Sequence, residues 1–367
     1  MDTLYNESLP SSLRVLAINP GSTSTKIAVN EDGKELLRVS VEHRAAELSQ
    51  FKNISDQYDL RRNAILGALE KAGIETKSLA AVVARGGFLP PVLSGAYFVN
   101  DAMVQRLATS PAVEHAANLG APIALSIARP LGIDAFIYDS VAVDELDDIA
   151  RISGCAEITR RSLSHALNMR ATALRCAADL GKSYYQSNFI VAHLGGGITL
   201  SLHKAGHMVD LVSDDEGPFS PERAGSVPIK DLIRLCYSKK EAEVRHLLRG
   251  GGGLVSYLGT NSALEAENRL EAGDKKAALV FEAMAYQVAK SIGELATVVS
   301  GKLDAVVLTG GIAHSKRFTG WITERVAFIA PVKVYPGENE LEALAQGALR
   351  VLKKEEVAHE YVEPILS

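Results

Sequence analysis

Val15-Leu-Ala-Ile-Asn-Pro-Gly-Ser-Thr-Ser-Thr-Lys-Ile-Ala-Val29 decides how this chain is read. Val15 to Ile18 is a short, continuously apolar run, the pattern of a buried strand. Asn19 to Lys26 reads as a turn with one proline, one glycine and four hydroxyl side chains. Ile27 to Val29 reads as a second strand. It leads into Asn30-Glu-Asp-Gly33, where Asp32-Gly33 is a strong hairpin signal, and Glu35 to Glu42 follows as a third strand. A tight turn of Gly, Ser and Thr can aim N–H groups and hydroxyls at phosphate. A polar hairpin turn without a ligand fits the same residues.

The surrounding chain narrows the choice. Its 367 residues suggest two domains. With 47% hydrophobic and 23% charged residues it is an ordinary globular composition, and a net charge of −5 leaves no basic footprint for nucleic acid. Cys155, Cys176 and Cys236 form neither a zinc pattern nor a disulfide framework, so a reducing cytoplasm is the expected compartment. Residues 1–12 are polar and lack the basic start and apolar stretch of a signal peptide, so they read as a disordered leader. No apolar run is long enough to span a bilayer.

Apolar periodicity gives a helix from Asp59 to Ala72, with Leu60, Ala64, Ile65, Ala68, Leu69 and Ala72 on one face. A buried strand, Leu79 to Ala84, ends at Arg85-Gly86-Gly87, before the apolar loop Phe88-Leu-Pro-Pro-Val-Leu93. Asn100 or Asp101 caps a helix to Thr109, and Pro111 opens another toward Ala128. Asp134 to Tyr138 is a strand ending at Asp139-Ser140. Leu163 to Leu180 reads as a helix carrying His165. Asp274 to Ser300, Lys316 to Ala327 and Glu340 to Leu352 read as further helices, and the charged tail after Lys353 as peripheral. Gly250 to Gly253 reads as a flexible run.

The opening pattern then recurs. Phe189-Ile-Val-Ala-His-Leu-Gly-Gly-Gly-Ile-Thr-Leu-Ser-Leu202 is again strand, Gly-rich turn, strand, with a turn near Ala205-Gly206 and a third strand from Met208. Ala80-Ala-Val-Val-Ala-Arg-Gly-Gly87 is matched by Asp304-Ala-Val-Val-Leu-Thr-Gly-Gly311, and the strand ending at Asp139 by Val332-Lys-Val-Tyr-Pro336. Three recurrences in one order predict two α/β domains of similar topology. The opening turn is not a Walker loop, because Thr25 precedes Lys26 and Ile27 follows it. No GxGxxG opens a helix after a strand. The pattern that remains is a duplicated, hairpin-based nucleotide cleft.

The ordered set Asn19-Pro-Gly-Ser-Thr-Ser-Thr-Lys26, Arg85-Gly-Gly87, Tyr138-Asp-Ser140, Ser164-His-Ala-Leu-Asn168, His193-Leu-Gly-Gly-Gly197, Pro221-Glu-Arg-Ala-Gly-Ser226, Thr309-Gly-Gly311 and Pro336-Gly-Glu338 with Glu340 resembles the acetate and butyrate kinase family of the actin-like ATPase superfamily, the butyrate kinases more closely. The resemblance implies two duplicated actin-like (ribonuclease H-like) domains with a nucleotide cleft between them: 13–145 with a C-terminal helix at about 341–358 packing back on it, and 146–340. It implies transfer of the ATP γ-phosphoryl group to a short-chain carboxylate, giving acyl phosphate and ADP with Mg²⁺. A homo-oligomer, dimer or higher, with no nucleic-acid or membrane partner, is expected.

By that resemblance Arg223 clamps the transferred phosphoryl group and His165 donates to it. Arg85 binds substrate carboxylate or phosphoryl oxygens, although acetate kinases carry their arginine three residues earlier, where Val82 stands, and a histidine at the position of Arg85. Asp139, Glu340 and Asn19 organise Mg²⁺, with Glu338 the rival of Glu340. Asn19, Ser22, Thr23 and Lys26 face the nucleotide phosphates from the first turn; His193, Gly195, Gly196 and Gly197 face them from the second. Gly310, Gly311, Ile312 and Ala313 lie on the adenosine side, with Ser262 and Ala263 near the base. Phe88 to Val92 line the acyl pocket. Two rival readings use the same fold: a sugar or polyol kinase with Asp139 as general base, and a non-enzymatic actin- or chaperone-like ATP switch.

Overall fold

The structure, a computed structural model, describes residues 12–109, 111 and 113–363. Among these, the apolar runs become strands β1 (Arg14–Pro20), β2 (Ser24–Glu31), β3 (Lys34–Glu42), β4 (Ala81–Arg85), β5 (Ala96–Phe98), β6 (Asp134–Tyr138), β7 (Asn188–Leu194), β8 (Ile198–Lys204), β9 (His207–Val212), β10 (Ala305–Gly310), β11 (Val332–Pro336) and β12 (His359–Glu360). One sheet has the order β12-β5-β6-β4-β1-β2-β3, the other β11-β10-β7-β8-β9. The chain divides into two compact units. The first runs to Val143 and resumes at Asn339; the second is Asp144–Glu338.

The two sheets share a core topology. β1-β2-β3 and β7-β8-β9 are antiparallel meanders, each followed on the far side of its first strand by two parallel neighbours: β4 then β6, and β10 then β11. The second turn of each meander has two successive residues at positive φ, Asp32 (51°) with Gly33 (91°), and Ala205 (49°) with Gly206 (92°). That is the backbone a tight two-residue hairpin requires.

The central strands of the second sheet, β7 and β10, are buried on both faces. Phe189, Val191, Ala305 and Val307 pack against Met169, Ala173 and Cys176 of the helix Ala166–Asp179. The alternate residues Ile190, Ala192, Val306 and Leu308 join a larger cluster with Phe281, Met284, Val288 and Ile292 of the helix Lys275–Val298. Strands sandwiched in this way read as continuous apolar runs, because neither face may be polar. In the first unit, helix Gly120–Ala128 packs on β4 and β6, and helix Glu340–Leu352 packs on β1 and β2.

Several expectations need correction. The opening turn is only Gly21–Thr23, since Asn19 pairs with Lys26 and Pro20 with Thr25 as strand residues. His165 stands at the N-cap of its helix rather than inside it. The helix expected from Pro111 begins as a 3₁₀ turn at Ala116 and becomes α-helical at Gly120. The last helix ends at Leu352, short of 358. The tail is not peripheral: β12 pairs with β5, Tyr361 is buried, and its carbonyl accepts from Asn100 Nδ2 at 2.8 Å. The glycine run is packed. Gly253 has φ +59° and lies so close to the Ser220 carbonyl that a Cβ there would overlap it. Of the expected leader only Ser12 falls within the described residues, where its hydroxyl donates to Glu31.

β8 is an exception to the apolar rule. Thr199, Ser201 and His203 lie on one face of it and are buried. His203 is held by Tyr184 Oη at Nδ1 and Ser201 Oγ at Nε2, both at 2.8 Å. Burial pushes its pKa from 6.5 down to about 3. A histidine kept neutral in the folded state makes stability fall with acid. Between about 6.5 and 3 the unfolded chain takes up a proton that the folded chain refuses. The expected slope from this residue is up to about 1.4 kcal/mol per pH unit, flat above the upper limit. Urea unfolding of wild type and His203→Gln between neutral pH and mild acid measures it; identical acid slopes would rule the assignment out.

Candidate active site

In the first unit β6, β4 and β1 are parallel, so their carboxyl ends share one edge of the sheet. Asn19, Arg85 and Asp139 stand at or just beyond those ends, where ligands gather in open α/β sheets. Glu340, first residue of the helix Glu340–Leu352, reaches the same edge. Its Oε2 accepts from Asn19 Nδ2 at 2.5 Å, and its Oε1 pairs with Arg85 Nη1 at 2.7 Å. Glu340 therefore bridges two residues that are far apart in sequence. Asp139 is buried at φ 40°, and its Oδ1 accepts the Gly95 N–H at 2.7 Å. Ser140 Oγ donates to the Gly87 carbonyl at 2.8 Å, fixing the Arg85-Gly-Gly87 exit.

Ser22 and Thr23 are exposed at the tip of the first turn. Thr25 is instead buried, with its hydroxyl 2.8 Å from His43 Nε2. The Lys26 side chain is exposed on β2. Beneath the turn lies Arg61, fully buried. The periodicity reading placed Arg61 off the apolar face of its helix, whereas the buried row is Arg61, Ile65 and Leu69. Near Arg85, the Phe88 ring packs edge-on against His115 with centroids 5.5 Å apart. Burial first, then the charges of Arg85 and Arg61, lower the His115 pKa.

In the second unit β7, β10 and β11 are parallel, and their ends carry His193, Gly310 and the segment to Glu338. The rings of His165 and His193 stack with centroids 3.9 Å apart and planes 10° from parallel. His193 Nδ1 lies 2.9 Å from Asn168 Nδ2, which can only donate. The ring proton is thereby assigned to Nε2, which faces Glu338 Oε1 at 3.2 Å. His165 Nδ1 is 2.9 Å from Thr199 Oγ1. Glu338 and Glu340 are therefore not interchangeable: one belongs to His193, the other to Asn19 and Arg85.

Arg223 lies against the second turn. A Cβ at Gly197 would fall on its guanidinium, so only glycine admits this approach. Asp214 pairs with Arg223 and also with Arg249, the latter at 3.4 Å. Burial lowers the Arg223 pKa against the pull of Asp214, yet an arginine stays protonated at neutral pH. Ser220 Oγ donates to the Gly196 carbonyl at 2.7 Å, binding the loop 214–226 to the glycine turn.

A cavity of about 510 Å³ opens beside this turn. Gly195, Gly196, Ala263, Leu264, Gly311, Ile312 and Glu338 are among its walls. Ala313 is buried, and the Ser262 hydroxyl caps its helix by accepting from Glu265 N. Of the residues expected on the adenosine side, Ala263, Gly311 and Ile312 line this space, whereas Gly310, Ala313 and Ser262 are not among its walls. Among the described residues no group of three or more His, Cys, Asp or Glu side chains gathers to hold a metal ion. No helix there is long and apolar enough to cross a membrane.

The Acetokinase family model matches residues 157–333. Butyrate kinase 1 of Clostridium acetobutylicum is 50% identical over 352 residues, spanning 95% of this chain and 99% of that protein. This chain belongs to the acetokinase family. Butyrate kinase 2 of the same organism is 48% identical over the same shares. The crystal structure of Porphyromonas gingivalis acetate kinase superposes with a TM-score of 0.74 at 19% identity, covering 93% of this chain and 100% of that one. The actin-like ATPase fold that the family resemblance implied is therefore the fold of this acetokinase-family chain.

Sequence reasoning missed Arg61, Thr199 and Asp214, and gave Asn168 no role. A charged residue in an amphipathic helix and a threonine in a strand carry no signal of their own; only contact reveals them. The approach of Arg223 to Gly197 can be tested. Gly197→Ala should displace the guanidinium and lower carboxylate kinase turnover roughly tenfold or more with the fold intact. Turnover within about twofold of wild type would show that the arginine can yield without consequence.

Proposed function

We propose that this chain transfers the γ-phosphoryl group of ATP to the carboxylate of butyrate or a branched short-chain analogue, reversibly, giving acyl phosphate and ADP. The observation that carries this reading is the 50% identity to a butyrate kinase over nearly the whole of both chains. A carboxylate is ionised at neutral pH, with a pKa of about 4, and needs no general base. One of its oxygens bonds to the γ-phosphorus as the bond from phosphorus to the β–γ bridging oxygen breaks, and ADP leaves with that electron pair. The barrier lies in bringing an anion to a polyanion, so the protein's task is charge and alignment.

Arg223 is proposed to clamp the moving phosphoryl group, since a guanidinium fork offers two parallel N–H bonds to its oxygens. Asp214 holds the fork in one orientation. His165, braced by Thr199 and by stacking on His193, is proposed to contact the same group. His193 and Gly195 to Gly197 contact the other phosphates, and the cavity beside Gly311, Ile312 and Ala263 takes the adenosine. From the first turn, Asn19, Ser22, Thr23 and Lys26 stand on the phosphate side.

Arg85 is proposed to bind the acid, exchanging its Glu340 partner for substrate carboxylate. Leu89 and Val92 are spent on packing, and the alkyl chain is proposed to lie against Phe88 and His115, whose rings meet near Arg85. Asn19, Asp139 and Glu340 are oxygen donors suited to Mg²⁺, which keeps several waters; bound there it would neutralise phosphate charge. The sugar-kinase and ATP-switch readings are not favoured, as the curated relatives are butyrate kinases.

A hydroxylamine trap for acyl phosphate, run with ATP, Mg²⁺ and acids of roughly two to six carbons, tests the reaction; an apolar pocket separates neighbouring acids by only about 1–3 kcal/mol. We expect hydroxamate with butyrate, and none with any acid would end this proposal. Arg223→Ala should lower turnover roughly a hundredfold or more while nucleotide affinity stays nearly unchanged. Retained turnover would remove Arg223 from the transfer.

A further inference from the structure

The first turn sits on a buried cation. Arg61 Nη1 donates to the Gly21 carbonyl at 2.8 Å, the Ser24 carbonyl at 3.1 Å and Thr25 Oγ1 at 3.1 Å. Nη2 donates to the Ser22 carbonyl at 3.1 Å. Nε and Nη2 both reach Gln57 Oε1, at 3.1 and 2.9 Å. The remaining carbonyl of the turn, that of Thr23, accepts from His43 N at 2.8 Å. Every carbonyl from Gly21 to Ser24 is thus drawn toward the protein. What the tip offers outward is the exposed side of Ser22 and Thr23.

Each acceptor around Arg61 is neutral. Among the described residues no carboxylate hydrogen-bonds or ion-pairs with it, in contrast with Arg223 and Arg85. The only influence shifting its pKa is burial, which lowers it. Arginine stays protonated even so. A buried charge without a counter-ion is unfavourable, and a turn stripped of free carbonyls and backed by that charge favours an anion.

We propose that Arg61 is the positioning residue and built-in countercharge of the first turn, holding its carbonyls inward and completing its charge balance only when a terminal phosphoryl group docks on the tip. This rests on the reading of that turn as phosphate-side. Arg61 does not touch the ligand; it acts through the turn.

Titration calorimetry with the β,γ-methylene analogue of ATP and with adenosine, each with Mg²⁺, tests this on the full chain. Arg61→Gln should weaken the analogue by roughly tenfold or more and leave adenosine within about twofold, and Arg61→Lys should recover most of the loss. Gln binding the analogue like wild type, or Lys as weak as Gln, overturns the proposal. If wild type itself binds the analogue no better than adenosine, the phosphate-side reading fails and this inference with it. A measurement without variants uses His43, whose pKa is lowered by burial and by Arg61 and raised by Glu47 and Glu42. Its ring titration in wild type should move upward on binding the analogue and not on binding adenosine; no movement overturns the proposal.

Discussion

A strand buried on both faces has no room for a polar side chain along its length. That constraint decides where this protein keeps its chemistry. β1, β4, β7 and β10 are apolar nearly throughout and release polarity at their carboxyl ends, as Asn19, Arg85, His193, Thr309 and the glycines that follow. Parallel alignment within each sheet gathers those ends along one edge. The exception, β8, shows the same rule from the other side: Thr199 lies against His165, and Ser201 against His203.

The cations of the two units are handled in two ways. Arg85 and Arg223 each lie against a carboxylate, Glu340 and Asp214, that orders the fork. In the proposed reaction such pairs keep a mobile side chain aligned until an anionic substrate competes for it. Among the described residues Arg61 has no such partner, and its charge is spread over backbone carbonyls, Thr25 and Gln57. An ion pair can exchange partners, whereas a carbonyl cage holds the arginine still. The first arrangement suits residues that meet a ligand, the second one that shapes a binding turn.

Much of the architecture was legible because it depends on periodicity and punctuation. The Asp32-Gly33 turn, the strand ending at Tyr138, the helix from Glu340 and the recurrence of strand, turn, strand at Phe189 are local patterns. The duplication was legible because related runs occur in one order. Boundaries failed where tertiary contact intervened. His165 leaves its helix because its ring is engaged by Thr199 and His193. The tail joins the sheet because β5 offers an edge and Asn100 Nδ2 donates to the Tyr361 carbonyl. The glycine run looked mobile by composition and is packed because the Ser220 carbonyl leaves no room for a Cβ.

By itself the sequence determined the fold class, the duplication, the family and most of the residues at the strand ends. Those follow from short-range pattern, which backbone sterics and burial impose on any chain. Tertiary structure alone decided the partnerships: Glu340 with Asn19 and Arg85, Glu338 with His193, Asp214 with Arg223, and Arg61 under the first turn. A carboxylate or a guanidinium has the same signature in sequence whether it faces solvent, a substrate or a buried carbonyl. Its environment is set by residues that can lie hundreds of positions away, as Glu340 lies from Asn19. Hydrogen-bond geometry and burial, which only the folded chain possesses, distinguish the three.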